Sequence, residues 1–113
     1  MATTKLTIAL VDDHILLRNG LASMLKETGY TILFEADNGK QFSEKVSREG
    51  SPDLVLLDIN MPVLDGYATA AWIKTNAPDT KVLALSMYDD EEAIIKMLKN
   101  GARGYVLKDA HPS

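Results

Sequence analysis

Asp53-Leu54-Val55-Leu56-Leu57-Asp58 sets four apolar residues in a row between two carboxylates, directly after the break Gly50-Ser51-Pro52. A short, uninterrupted apolar run bounded by turn residues is what a strand covered on both faces requires. A sheet with one wet face would show a polar residue at every second position. Similar runs lie to either side: Leu6 to Val11 and Thr31 to Phe34 before it, Lys81 to Leu85 and Gly104 to Leu107 after it. The segments between them have helical spacing. Leu17, Leu21, Met24 and Leu25 form one stripe, ended by Gly29, so residues 14 to 28 read as a helix. Phe42 and Val46 mark a second helix over 39 to 48, and Ala70, Ala71 and Ile73 a third over 67 to 76, stopped by Pro78. Ile94, Ile95, Met97 and Leu98 mark a fourth, ended by Gly101. The acids Asp89 to Glu92 precede it, where a helix dipole stabilises negative charge. The order β-α-β-α-β-α-β-α-β predicts an α/β doubly wound parallel sheet of five strands.

The bulk composition narrows the function. A chain of 113 residues is the size of one domain and can bury a core without disulfides. Cysteine is absent, which excludes a disulfide scaffold, a cysteine zinc site and a thiol nucleophile, and agrees with a reducing, cytoplasmic setting. The start lacks a signal-peptide layout, and the apolar stretch from Leu6 to Val11 is far short of a membrane span, so a soluble protein without membrane attachment is expected. A net charge of −4 argues against a nucleic-acid surface on this domain.

In open α/β sheets, ligands bind outside the carboxyl ends of the strands, and the notable polar residues fall there. Asp12 and Asp13 end the first strand, Asp58 the third, Ser86 the fourth and Lys108 the fifth. Taken singly, the Asp12-Asp13 pair could cap the helix that follows, Ser86 could be an ordinary polar strand end and Lys108 a solvated side chain. Asp58 closes an apolar run, where a charge needs a partner or a functional reason. Two carboxylates 4 Å apart repel by about 4 kcal/mol at an effective dielectric of 20. Three gathered together therefore call for a cation or for shifted pKa values. Hard oxygen ligands of this kind suit Mg²⁺. With a hydroxyl and a lysine beside them they form a cradle for a phosphoryl group, whose transfer depends on positioning and charge neutralisation.

These segments resemble the receiver domains of two-component response regulators. The resemblance runs from Leu6 to Ala110 through Val11-Asp12-Asp13-His14, Leu56-Leu57-Asp58-Ile59-Asn60-Met61-Pro62 with Asp65-Gly66, Ala84-Leu85-Ser86-Met87 and Gly101-Ala102-Arg103-Gly104-Tyr105-Val106-Leu107-Lys108. It implies a flavodoxin-like fold with strand order 2-1-3-4-5. It also implies that Asp58 accepts a phosphoryl group from a phosphohistidine on a sensor histidine kinase or phosphotransfer protein. Asp13, Asp58 and the Asn60 carbonyl would ligate Mg²⁺, with Asp12 acting through water. Ser86 and Lys108 would hold phosphoryl oxygens, and Ser86 with Tyr105 would form the switch. Read from the residues alone, Tyr105 is a half-buried strand aromatic, His14 a helix-start residue, and Pro62 and Gly66 shape the loop after Asp58 through a fixed φ and tolerance of positive φ.

Two features depart from the common receiver pattern. Asp109 follows Lys108 where most receivers have proline, as in the subgroup that precedes a LuxR-type helix-turn-helix output domain, so a transcriptional output is implied. Only Asp109 to Ser113 follow Lys108, so residues 1–113 read as one receiver truncated before its fifth helix, with an apolar face that self-association would cover.

Other classes fit less well. A haloacid-dehalogenase-type, Mg²⁺-dependent phosphohydrolase needs a second aspartate two residues after its nucleophile, and position 60 is Asn. A phosphorylation-independent receiver-like interaction module would be expected to lack Asp58, Asp13 or Lys108. No glycine-rich nucleotide loop follows any strand.

Overall fold

The computed structural model describes residues 6–59, 65–86 and 91–107. Along the chain it contains β1 (Thr7–Val11), α1 (Ile15–Glu27), β2 (Thr31–Ala36), α2 (Gly39–Glu49), β3 (Leu54–Asp58), α3 (Gly66–Asn76), β4 (Lys81–Ser86), α4 (Glu91–Lys99) and β5 (Gly104–Leu107). All neighbouring strands pair in parallel, in the order β2-β1-β3-β4-β5. The flavodoxin-like, doubly wound sheet expected from the sequence is therefore present, with β3 at its centre.

The apolar runs divide residue by residue between the two faces of this sheet. Ala9, Val11, Val55, Leu57, Val82 and Ala84 pack with Phe42 of α2, Ala70 and Ile73 of α3 and Met97 of α4. Their neighbours Ile8, Leu10, Leu54, Leu56, Leu83 and Leu85 pack with Leu21, Ala22 and Leu25 of α1. This two-sided burial explains why the strands read as continuous rather than alternating. On the α1 face an apolar groove of about 290 Å³ stays open, lined by Leu6, Leu21, Met24, Tyr30, Leu83 and Val106 among others.

The helix ends follow local chemistry. Asn38 caps α2 by accepting from the Gln41 amide at 2.9 Å, and Asp65 caps α3 by accepting from the Ala68 amide at 2.9 Å. Gly29 ends α1 at φ +99°, a left-handed conformation that glycine adopts without a Cβ penalty. Glu91 and Glu92 occupy the first turn of α4, and Lys96 and Lys99 its last, the arrangement a helix dipole favours. β2 continues past Phe34 through Glu35 and Ala36 at the edge of the sheet, where Glu35 can meet Arg18 of α1 at 3.0 Å.

Gly66 requires a correction. Tolerance of positive φ was its expected role, yet its φ is not in the left-handed region. A Cβ there would lie 2.5 Å from the Asp58 carbonyl oxygen and 2.7 Å from Ile59 Cα. Glycine is needed because the start of α3 lies directly against the end of β3.

Candidate functional site: an acidic pocket at the carboxyl edge of the sheet

β1 and β3 are adjacent and parallel, so their carboxyl ends come out side by side. Asp12 directly follows the buried end of β1, and Asp58 is the last residue of β3. Both side chains are buried, at 1% and 3% exposure. Asp13 and His14 lie at the mouth of the pocket, their side chains 40% and 60% exposed. One ligand atom from each of Asp12, Asp13, His14 and Asp58 can be chosen so that all lie within 4.8 Å of one another. The third-strand and first-strand carboxylates thus converge as their positions in the sequence required.

Backbone geometry holds the pocket together. The Asp12 amide donates to the Ala36 carbonyl at 3.1 Å, fixing the end of β1 to the end of β2. Asp12 Oδ1 accepts from the His14 amide at 2.8 Å, and the His14 ring nitrogen Nδ1 lies 3.2 Å from the same oxygen. His14 stands at the N-cap of α1, as a helix-start residue should, but its side chain does not cap the helix and turns to Asp12 instead. On the β3 side, the Ile59 amide donates to the Leu85 carbonyl at 3.1 Å and the Gly66 amide to the Ile59 carbonyl at 3.0 Å. The peptide after Asp58 is therefore tied both to β4 and to the start of α3.

Ser86 is buried at the end of β4, one residue beyond Leu85, which stands opposite Asp58 in the β3–β4 register. It shares the carboxyl edge with the acids. Across the β4–β5 register Ser86 is the partner of Leu107. Tyr105, on β5, is 47% exposed, close to the half-buried strand aromatic expected. Asn60, Pro62 and Lys108 lie outside the described residues.

The donor set suits a hard divalent ion. Metal–oxygen distances of about 2.1 Å in an octahedral Mg²⁺ site put opposite ligands about 4.2 Å apart. A spread of 4.8 Å over four residues needs only a small contraction. Carboxylate oxygens buried beside one another also have the electrostatic reason to take a cation. Asp12, Asp13 and Asp58 would hold it, and His14 lies at the rim.

Sequence reasoning missed a second layer of charge around Arg18. Its guanidinium Nη1 donates to the Asp12 carbonyl at 2.8 Å, the Ala36 carbonyl at 3.0 Å and Asp37 Oδ1 at 2.5 Å, while Nε donates to Glu35 Oε1 at 3.0 Å. Burial lowers the affinity of Arg18 for its proton, but hydrogen bonds and charge from Asp37 and Glu35 outweigh this and raise its pKa above the ordinary arginine value. The hydrogen bond from Arg18, with a further one from Gln41, holds the Asp37 carboxyl below its ordinary range against a smaller opposing effect of burial. The available signal was positional: Glu35 and Asp37 flank the end of β2, next in the sheet to the strand that carries Asp12.

A five-stranded parallel sheet in this order, with carboxylates gathered at the ends of its first and third strands, is a flavodoxin-like fold with an acidic pocket at its carboxyl edge. The comparisons agree: residues 8–113 match the response regulator receiver domain family, and the chain belongs to it. It is 38% identical to the transcriptional regulatory protein DegU of Brevibacillus brevis over 106 residues, covering 93% of this chain and 44% of DegU. Among solved structures, the signal receiver domain of NarL from Mycobacterium tuberculosis superposes with a TM-score of 0.89 at 34% identity, over 96% of this chain and 88% of that one. A DNA-binding response regulator of the LuxR family from Staphylococcus aureus superposes with a TM-score of 0.84 at 26% identity, over 94% of this chain and 88% of that one. The chain spans about half the length of the curated relatives it matches. The receiver resemblance is thereby established, and the chain is similar to the receiver of a LuxR-family regulator.

Proposed function

We propose that Asp58 is the phosphoacceptor of this receiver and that Asp12, Asp13 and Asp58 hold Mg²⁺ beside it. The observation that carries this reading is the meeting of the three carboxylates within 4.8 Å at the carboxyl edge of the sheet. Bound Mg²⁺ would supply positive charge to offset the carboxylates and the phosphoryl oxygens. An Asp58 carboxylate oxygen attacks the phosphorus of a donor phosphohistidine. The P–O bond forms as the P–N bond breaks, and the leaving imidazole keeps the electron pair and takes up a proton. Burial of Asp58 at the end of β3 restricts the carboxylate to a few orientations, which favours in-line attack. Ser86 and Lys108 bind the new phosphoryl oxygens, and the backbone carbonyl of Asn60 completes the metal ligands.

Ser86 and Tyr105 are the switch residues. A phosphoryl group that pulls the Ser86 hydroxyl leaves space behind it for the Tyr105 ring, and it shifts the equilibrium only as far as it binds the two states unequally. The domain thus acts on its own aspartyl phosphate rather than turning over a separate substrate. A sensor histidine kinase or phosphotransfer protein is the donor, a transcriptional output the consequence, and the cytoplasm the setting. No helix among the described residues is long and apolar enough to cross a membrane. The apolar groove on the α1 face supports self-association, for which a single monomeric species in sedimentation at high concentration is the contrary result.

Incubation with Mg²⁺ and a small acyl-phosphate donor, followed by intact mass measurement, tests the phosphoacceptor. The wild type should gain one phosphoryl group and Asp58→Ala none. Equal labelling of both removes Asp58 from the role.

A further inference from the structure

Arg18 lies outside the acidic pocket, one turn into α1, with its side chain only 12% exposed. Its guanidinium nevertheless meets the pocket from behind, through the carbonyl of Asp12 at 2.8 Å. The far side of the fork is anchored on Glu35 and Asp37. Asp37 is itself fixed by Gln41, whose Nε2 donates to Asp37 Oδ2 at 3.2 Å and whose Oε1 accepts from the Asp37 amide at 2.9 Å. Lys45 of α2 donates to the Glu35 carbonyl. The peptide that carries Asp12 is therefore braced against the end of β2 and the first turns of α2.

We propose that Arg18 is a positioning residue for cation binding in the acidic pocket, acting through the Asp12 main chain. The proposal rests on the reading of the pocket as a Mg²⁺ site. A planar guanidinium bridges several acceptors in one fixed geometry, which a lysine ammonium on a flexible stem cannot copy. Asp12 Oδ1 is tied to the adjacent His14 amide at 2.8 Å, so a shift of the Asp12–Asp13 backbone moves the carboxylates with it. Without Arg18, the carbonyls of Asp12 and Ala36 and the carboxylates of Glu35 and Asp37 would lose the donor they share. The Asp12 main chain would then be held to the end of β2 by the Asp12 amide–Ala36 carbonyl bond without the guanidinium bridge. Outer partners that orient metal ligands typically change metal affinity by about 10- to 100-fold when removed.

The test measures Mg²⁺ affinity of the folded protein by calorimetry, and separately the Mg²⁺ dependence of acyl-phosphate labelling. Arg18→Met, which keeps the stem and its packing, should raise the half-saturating Mg²⁺ concentration about tenfold in both, while the labelling rate at saturating Mg²⁺ stays within about twofold of wild type. Arg18→Lys should recover only part of the affinity. Asp37→Asn, which removes the outer anchor alone, should shift it in the same direction by less. A role in stability alone would lower the melting temperature and leave the affinity of the folded protein unchanged. Wild-type affinity in folded Arg18→Met overturns the proposal, as it does in Asp37→Asn should the Arg18 variant fail to fold. A wild-type protein that binds no Mg²⁺ sinks the metal-site reading itself, and this inference with it.

Discussion

β3 has an aspartate at each end, and the two are used in opposite ways. Asp53, just before the strand, is exposed, and its carboxylate accepts from the Thr7 amide at 2.9 Å and the Thr7 hydroxyl at 3.1 Å. Its own amide donates to the Thr7 carbonyl and hydroxyl, both at 3.0 Å, and its carbonyl accepts from the Lys81 amide at 2.9 Å. Asp53 is thus a clip that joins the starts of β1, β3 and β4. Asp58, at the other end, is buried, and its carboxylate clusters with that of buried Asp12 and that of half-exposed Asp13. The same side chain stabilises where donors surround it and adds repulsion where acids do. Like charges gathered at one end of a strand, next to a hydrogen-bonded clip at the other, are the reason for proposing the site at the Asp58 end.

The sharpest challenge to this contrast is Gly66→Ala. A Cβ 2.5 Å from the Asp58 carbonyl cannot be accommodated by side-chain movement, because the obstacle is backbone. We expect a loss of about 3 kcal/mol in chemical denaturation, the upper range for overpacking, together with slower labelling. A stable, fully active variant would show that the end of β3 is looser than described.

The opposite sign is expected at Asp58 itself. Asp58→Asn removes one charge from the buried cluster and should raise stability in EDTA by about 2 kcal/mol, below the bare repulsion because solvent and relaxation screen it. Mg²⁺ should raise the melting temperature of the wild type and leave that of the variant nearly unchanged. A destabilised Asp58→Asn in EDTA would refute the claim that the carboxylates strain one another.

At the amino end of the strand, Asp53→Ala should cost about 1 kcal/mol, the net worth of an exposed hydrogen-bonding clip, and leave phosphoryl labelling at the wild-type level. Loss of labelling there would blur the division between the two ends.

The smallest effect concerns acid pH. The Arg18 hydrogen bond depresses the pKa of Asp37 from its ordinary 3.8, so the folded state binds fewer protons on this group than the unfolded state. Its contribution is complete above the ordinary value and is lost as pH falls through the depressed one. Melting curves of wild type and Asp37→Asn should differ at neutral pH and converge in strong acid. The difference should be small because the Asp37 side chain is 46% exposed.

Much of this architecture is legible before folding is considered. Continuous apolar runs signalled two-sided strands, and their alternation with amphipathic segments led to the parallel sheet and to polar residues at its carboxyl ends. Asp12, Asp13, Asp58 and Ser86 could be placed at or just beyond strand ends because strand ends can be read locally. The side chain of His14 turning to Asp12 was not legible, because periodicity does not fix a rotamer even between residues two apart. The close approach behind Gly66 and the Arg18 brace were not, because each depends on how separate elements pack together.

By itself, then, the sequence determined the class of fold, the strand order through its resemblance, and which acids stand at which strand ends. The fold class and the strand ends follow from hydrophobic periodicity, a property of neighbouring residues, whereas the strand order came only with the family resemblance. Only the tertiary structure decided that Asp53 becomes a structural clip while Asp58 enters an acidic pocket, and that Arg18 reaches behind Asp12. The physical reason is that charge is favourable or costly according to what surrounds it within a few ångströms, and those surroundings are assembled only when β1, β2 and β3 lie side by side.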